Sequence, residues 1–270
     1  MANNSAEIKS LIDKKGFVSD MDGVIYHGNK LLPGAVEFVE WLNENDKRYL
    51  FLTNSSERTP QELREKLLRL GIDVAKEHFY TSALATADFL SRQHPNCTAY
   101  VIGDAGLINA LYDRGITMND TSPDYVVVGE TRTYGFERIE HATLLVQRGA
   151  KLIGANPDMT GPTERGIVPA TGALIAPIEL ASQSKAYFVG KPNPMMMRRA
   201  VKTLGCQSAE AVIIGDRMDT DIIAGVEAEV DTVLVLSGVS NIDTPEQYAY
   251  RPRHIFSGLD EMIDAFKASN

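Results

Sequence analysis

Short apolar runs, each closed by a polar or glycine-containing turn and followed by residues at helical spacing, recur along this chain and leave few folds open to it. The clearest runs cover residues 16–19, 49–52, 100–102, 125–128, 152–153, 211–214 and 232–236. Strands covered on both faces read this way, because neither face needs polar residues. Between them, residues 35–43, 61–70 and 107–113 put apolar side chains on one helical face and charges on the other, as covering helices do. The expectation is an α/β fold with a doubly wound parallel sheet.

At 270 residues the chain is long enough for two moderate domains. No stretch approaches the roughly 20 apolar residues that would span a bilayer, so no membrane partner is expected. The N-terminal residues hold no apolar segment of the secretory kind, and cytoplasmic residence is the expectation. Cys97 and Cys206 are far apart and lack histidines at metal-ligand spacing, so both read as reduced thiols. A net charge of -9 argues against a nucleic-acid partner, which needs clustered Lys and Arg to neutralise phosphates. In a chain that is not secreted, the Asn-x-Ser/Thr triplets at Asn54 and Asn96 are chance matches.

Four strand ends carry chemistry. Asp20 and Asp22 follow the run at 16–19, at the carboxyl edge where such sheets bind ligands. Residues two apart in an extended chain point the same way, and Gly23 lets the chain turn sharply afterwards. Thr53, Asn54, Ser55 and Ser56 close the second run with hydroxyls and amides suited to phosphoryl oxygens. Ser55, Ser56 or Thr59 would serve equally as the N-cap of the helix that follows, with Pro60 in its first turn. Lys191 sits in the stiff turn Gly190-Lys191-Pro192-Asn193-Pro194 as a fixed point charge. The run at 211–214 ends in Gly215-Asp216, with Asp219 and Asp221 opening a helix, where capping is the competing use. Hard oxygen ligands of this kind suit magnesium, and Asp20 and Asp216 look like its direct carboxylates. These groups fall in residues 16–56 and 188–221, while the middle has its own strand and helix alternation, so one domain is expected to be inserted in another.

The four motifs, Asp20/Asp22, Thr53, Lys191 and Asp216/Asp221, resemble those of the haloacid dehalogenase (HAD) superfamily over nearly the whole chain. The phrases PGAVEF, LTNSS, YTSALATADFL, VGET, NPD, VGKPNP and GDRMDTDI resemble its NagD-type, class IIA branch. The resemblance implies a Rossmann-like core of residues 1–82 and 186–270 with an α/β cap of the second type at 83–185. It also implies an Mg2+-dependent phosphomonoester hydrolase. Asp20 would be the nucleophile that forms an aspartyl-phosphate, and Asp22 the acid and then base. Dehalogenases and phosphonatases of the superfamily lack an aspartate at the second position.

By the same resemblance Asp20, the backbone carbonyl of Asp22 and Asp216 would hold the metal, with Asp221 in support. Thr53, Asn54, Ser55 and Lys191 would bind phosphate. Asn156-Pro157-Asp158 and Thr171-Gly172 are substrate-facing loops by resemblance or plain turns, and His27 lines the entrance or is a bystander. Nucleoside monophosphates such as UMP are the first substrates to expect, then sugar or cofactor phosphates. A phosphomutase or phosphotransferase with the same nucleophile, and a phosphoacceptor signalling module, are the alternatives. Whether copies associate into a homo-oligomer is left open.

Overall fold

A computed structural model describes residues 5–163 and 166–269. Among the described residues the alternation resolves into a six-stranded and a five-stranded sheet, beside two two-stranded ones. The six-stranded sheet runs, edge to edge, His254–Phe256, Asp231–Val235, Ala211–Gly215, Gly16–Ser19, Arg48–Thr53, Phe79–Thr81. Its first five strands pair in parallel, with Ser19 opposite Ile214 on one side and Phe51 on the other. The five-stranded sheet runs Tyr187–Phe188, Lys151–Gly154, Tyr125–Val128, Thr98–Ile102, Thr117–Met118, again parallel throughout. Both are flanked by helices, which gives the expected α/β architecture. No described helix is long and apolar enough to cross a membrane.

By contacts the chain forms two compact units. The first holds residues up to Thr53, Arg64–Tyr80 and those from Pro192 on; the second holds Asn54–Leu63 and Thr81–Lys191. The expected division, 1–82 with 186–270 against 83–185, differs from this one chiefly at residues 54–63. The physical reason lies in Ser56 and Glu57: Gly106 N–H donates to Glu57 O at 3.0 Å, and Ser56 N–H to Glu130 Oε2 at 2.8 Å.

In the first unit the covering helix Ala35–Glu44 turns Phe38, Trp41 and Leu42 inward, matching the helical spacing of its apolar residues. Trp41 packs against Phe17 from the central strand and Phe266 from the helix Leu259–Ala268, at centroid distances of 5.5 and 4.7 Å. Phe266 is fully buried, so Phe266→Ala is expected to cost about 3–5 kcal/mol. Chemical denaturation followed by the fluorescence of Trp41, the single tryptophan, measures this directly. The second unit has its own core of Ile102, Val126, Val128, Leu145, Ile175 and Ile178 between its sheet and the helices Phe136–Gln147 and Thr171–Ser182. Each such side chain contributes about 1.5–3 kcal/mol on burial.

Candidate active site

In the first unit the chain starts its sheet in the middle. From Gly16–Ser19 it adds Arg48–Thr53 and Phe79–Thr81 on one side, and later Ala211–Gly215, Asp231–Val235 and His254–Phe256 on the other. The direction of strand addition reverses at Gly16–Ser19. Such a switch point opens a crevice at the carboxyl ends of the strands. Asp20 is the first residue beyond that central strand, and its N–H donates to Ile214 O at 2.8 Å, which prolongs the pairing by one step. Asp216 is the first residue beyond the neighbouring strand, and Thr53 ends the one on the other side.

Asp20, Asp216 and Asp221 each place a carboxylate oxygen within 4.8 Å of the others. Asp216 and Asp221 are buried, 2 % and 0 % exposed. Buried carboxylates so close together repel unless a cation or strong donors offset them. Val239 N–H donates to Asp216 Oδ2 at 2.7 Å, and Arg217 N–H to Asp221 Oδ2 at 3.2 Å. Glycines make room for Asp216: a Cβ on Gly23 would lie 2.5 Å from its Oδ2, and one on Gly238 only 2.0 Å. Gly23 also has φ +81°, in the left-handed region that favours glycine. Three hard oxygen donors in this arrangement fit a small divalent cation of the magnesium type.

Asp221, expected in support, lies with Asp20 and Asp216 by distance, and the contribution expected of Asp22 is its backbone carbonyl rather than its carboxylate. Asp221 lies in a single π-helical turn, Met218–Ile222, ahead of the helix Ile223–Glu227. Asp219 instead forms a two-pronged pair with Arg217 at 3.0 and 2.8 Å.

Asp22 sits in the turn after the strand, where Gly23 N–H donates to Tyr26 O at 2.8 Å. Its Oδ1 lies 3.4 Å from His27 Nδ1 on an exposed imidazole. Desolvation raises its pKa above the usual carboxylate value, against the opposing pull of His27 and Lys66. A carboxyl tuned upward keeps its proton to higher pH, which suits a group that must first donate one. Lys66 is itself buried with its ammonium 3.5 Å from the Tyr26 ring centroid.

The remaining expected residues, Asn54, Ser55 and Lys191, fall in the second unit. The capping role left open among Ser55, Ser56 and Thr59 falls to Thr59. Its N–H and Oγ1–H both donate to Glu62 Oε2 at 2.8 Å, and Glu62 N–H returns to Thr59 Oγ1 at 3.2 Å, a capping box. Asn54 Nδ2 donates to Lys191 O at 2.9 Å and to Asp158 Oδ2 at 3.0 Å. Lys191 is 2 % exposed, a burial that lysine tolerates only with compensating groups around it. Of the turn Asn156-Pro157-Asp158, Asn156 is fully buried and its Nδ2 donates to Asn54 O at 2.7 Å.

Sequence reasoning missed Glu130. Its carboxylate accepts from Ser56 N–H and Oγ–H on Oε2, and from Asn156 Nδ2 on Oε1 at 2.7 Å. The residue as a whole is half-buried, but its carboxylate end is desolvated. This raises its pKa, with the Ser56 and Asn156 hydrogen bonds acting against the rise. A signal was present: Gly129-Glu130 follows the run 125–128 as Gly215-Asp216 follows 211–214.

A family model of haloacid dehalogenase-like hydrolases matches residues 17–117, and a second, of HAD-like hydrolases, matches 188–262. The chain is 44 % identical to the dihydroxyacetone phosphatase of Corynebacterium glutamicum over 250 residues, 93 % of this chain and 91 % of that one. It is 43 % identical to the ribonucleotide monophosphatase NagD of Escherichia coli over 248 residues, covering 92 % and 98 %. The solved structure of NagD from E. coli K-12 matches at a TM-score of 0.88. A 4-nitrophenylphosphatase of Thermotoga maritima matches at 0.91, with 32 % identity over 95 % of this chain and 99 % of that one. The chain therefore belongs to the haloacid dehalogenase-like hydrolases, in their NagD-type phosphatase branch.

Proposed function

We propose that this chain is an Mg2+-dependent phosphomonoester hydrolase that works through an aspartyl-phosphate on Asp20. The observation that carries the reading is the meeting of the Asp20, Asp216 and Asp221 carboxylates at the switch point of the sheet, with Asp22 two residues beyond the nucleophile. Asp20 attacks phosphorus while the bond to the leaving oxygen breaks, and Asp22 gives that oxygen its proton. Asp22, now a base, takes a proton from water, and the water oxygen attacks the phosphoryl group and frees Asp20 with inorganic phosphate. Thr53, Asn54, Ser55 and Lys191 bind the phosphoryl oxygens and offset their charge.

Asp20, the Asp22 carbonyl and Asp216 hold the cation, and Asp221 joins or orients them. Magnesium supplies positive charge beside the phosphoryl oxygens when bound. The second unit is the cap in this reading and sets which small phosphomonoester is taken. The relatives carry different names: a ribonucleotide monophosphatase, a dihydroxyacetone phosphatase and, in Staphylococcus epidermidis, an acid sugar phosphatase. Nucleoside monophosphates such as UMP are the first choice here, with triose and sugar phosphates next. The partner is such a small molecule rather than nucleic acid or membrane, which the net charge of -9 supports. Cytoplasmic residence is part of the proposal, and the free thiols of Cys97 and Cys206 suit it.

The test is phosphate release from nucleoside monophosphates, sugar and triose phosphates and pyridoxal phosphate, with magnesium and with a chelator. Release is expected with magnesium and is expected to fall to background with the chelator. Phosphate returned to a second position on the substrate would favour a mutase, and labelling without turnover a signalling module.

A further inference from the structure

We propose that Glu130 is a positioning residue that holds the loop Asn54-Ser55-Ser56 in shape for phosphate binding, an inference that rests on the functional reading above. Glu130 and Ser56 grip each other reciprocally. Ser56 N–H donates to Glu130 Oε2 at 2.8 Å, Ser56 Oγ–H donates to the same oxygen, and Glu130 N–H donates back to Ser56 Oγ at 3.0 Å. Gly129 permits this approach, since a Cβ there would lie 2.5 Å from Ser56 Oγ. The other carboxylate oxygen takes Asn156 Nδ2 at 2.7 Å, and the same Nδ2 reaches Asn54 O at 2.7 Å. Asn54 O also accepts from Ser82 Oγ–H at 2.5 Å. Ser55 is thus flanked by one residue fixed through its carbonyl and another fixed through its amide and hydroxyl.

The clamp extends to the cationic part of the expected site. With its carbonyl held, Asn54 directs Nδ2 to Lys191 O at 2.9 Å. One carboxylate therefore orders, through Ser56 and Asn156, both the hydroxyl and amide loop and the turn that carries Lys191. Its capacity to accept matters as well as its shape. It accepts three donors from Ser56 and Asn156, a demand that a neutral amide of the same size cannot meet. In Glu130→Gln, an amide that turned its oxygen to Ser56 would present its NH2 to Asn156 Nδ2, donor against donor.

The experiment compares Glu130→Gln with the unaltered protein in two measurements: hydrogen exchange of the 54–56 amides, and kcat and KM for p-nitrophenyl phosphate. Glu130→Ala serves as a second variant, with thermal melting to confirm folding. The expected result is faster exchange at Ser55 and Ser56 and a fall in kcat/KM of about 10–100-fold, carried largely by kcat. The magnesium concentration for half activation should stay unchanged, because the cation's carboxylates lie elsewhere in the chain. Unchanged exchange at these amides, or kcat/KM within twofold of the unaltered protein in a folded variant, would overturn the proposal. If the unaltered protein released no phosphate while Glu130→Gln still loosened the loop, the functional reading would fall and the hold of Glu130 on the loop would stand.

Discussion

Asp20→Asn is expected to lower phosphate release by about 10^4-fold or more while leaving the thermal melting curve in place, since loss of a nucleophile removes the covalent route entirely. Asparagine preserves the size of the side chain, and the backbone N–H of residue 20 still reaches Ile214 O. The substitution also eases the crowding of negative charge with Asp216 and Asp221, which lie within 4.8 Å. Stability should therefore hold or rise slightly as activity disappears. Steady-state phosphate release and a melting curve on the same preparation check both parts. Activity within tenfold of the unaltered protein would remove Asp20 from the nucleophile's role.

The second large effect falls on Asp22, and its size should depend on the substrate. General acid and base catalysis contributes about 10^2–10^4-fold, and the acid half matters most when the leaving oxygen is strongly basic. Asp22→Asn should cost about 10^3-fold or more with an alkyl phosphate such as a nucleoside monophosphate. The first step should suffer far less with p-nitrophenyl phosphate, whose leaving group departs readily without a proton. Hydrolysis of the phosphoryl-enzyme still needs the base, so that substrate should give a rapid first release of nitrophenol followed by slow turnover. Rapid mixing reads the two phases separately. Equal losses in both steps for both substrates would contradict the assigned role.

Much of the fold was legible because its strands announce themselves as apolar runs. The run at 125–128 coincides with the strand Tyr125–Val128, and 211–214 falls one residue short of Ala211–Gly215. Among the strands that escaped notice are short edge strands and the members of two small two-stranded sheets. Thr117–Met118 and Tyr187–Phe188 have two residues each and are partly exposed, and His254–Phe256 has three, too few for a period to show. Of the site, the strand-end residues Asp20 and Asp216 could be read because position along a strand is a local property. Asp221 could be read as part of the same motif, but the π-turn Met218–Ile222 that carries it could not, since no local pattern distinguishes it from an ordinary helix start. Glu130 and Ser56, 74 positions apart, meet through the packing of the second unit, and a single sequence carries no record of that pairing.

The most direct measurement is mass spectrometry of the acid-quenched enzyme during turnover, mapped to the peptide that carries Asp20. One phosphoryl group is expected on Asp20, accumulating in Asp22→Asn and absent from Asp20→Asn. Phosphate release that proceeds with no label on that peptide in either the unaltered protein or Asp22→Asn would contradict the assignment of Asp20 as nucleophile.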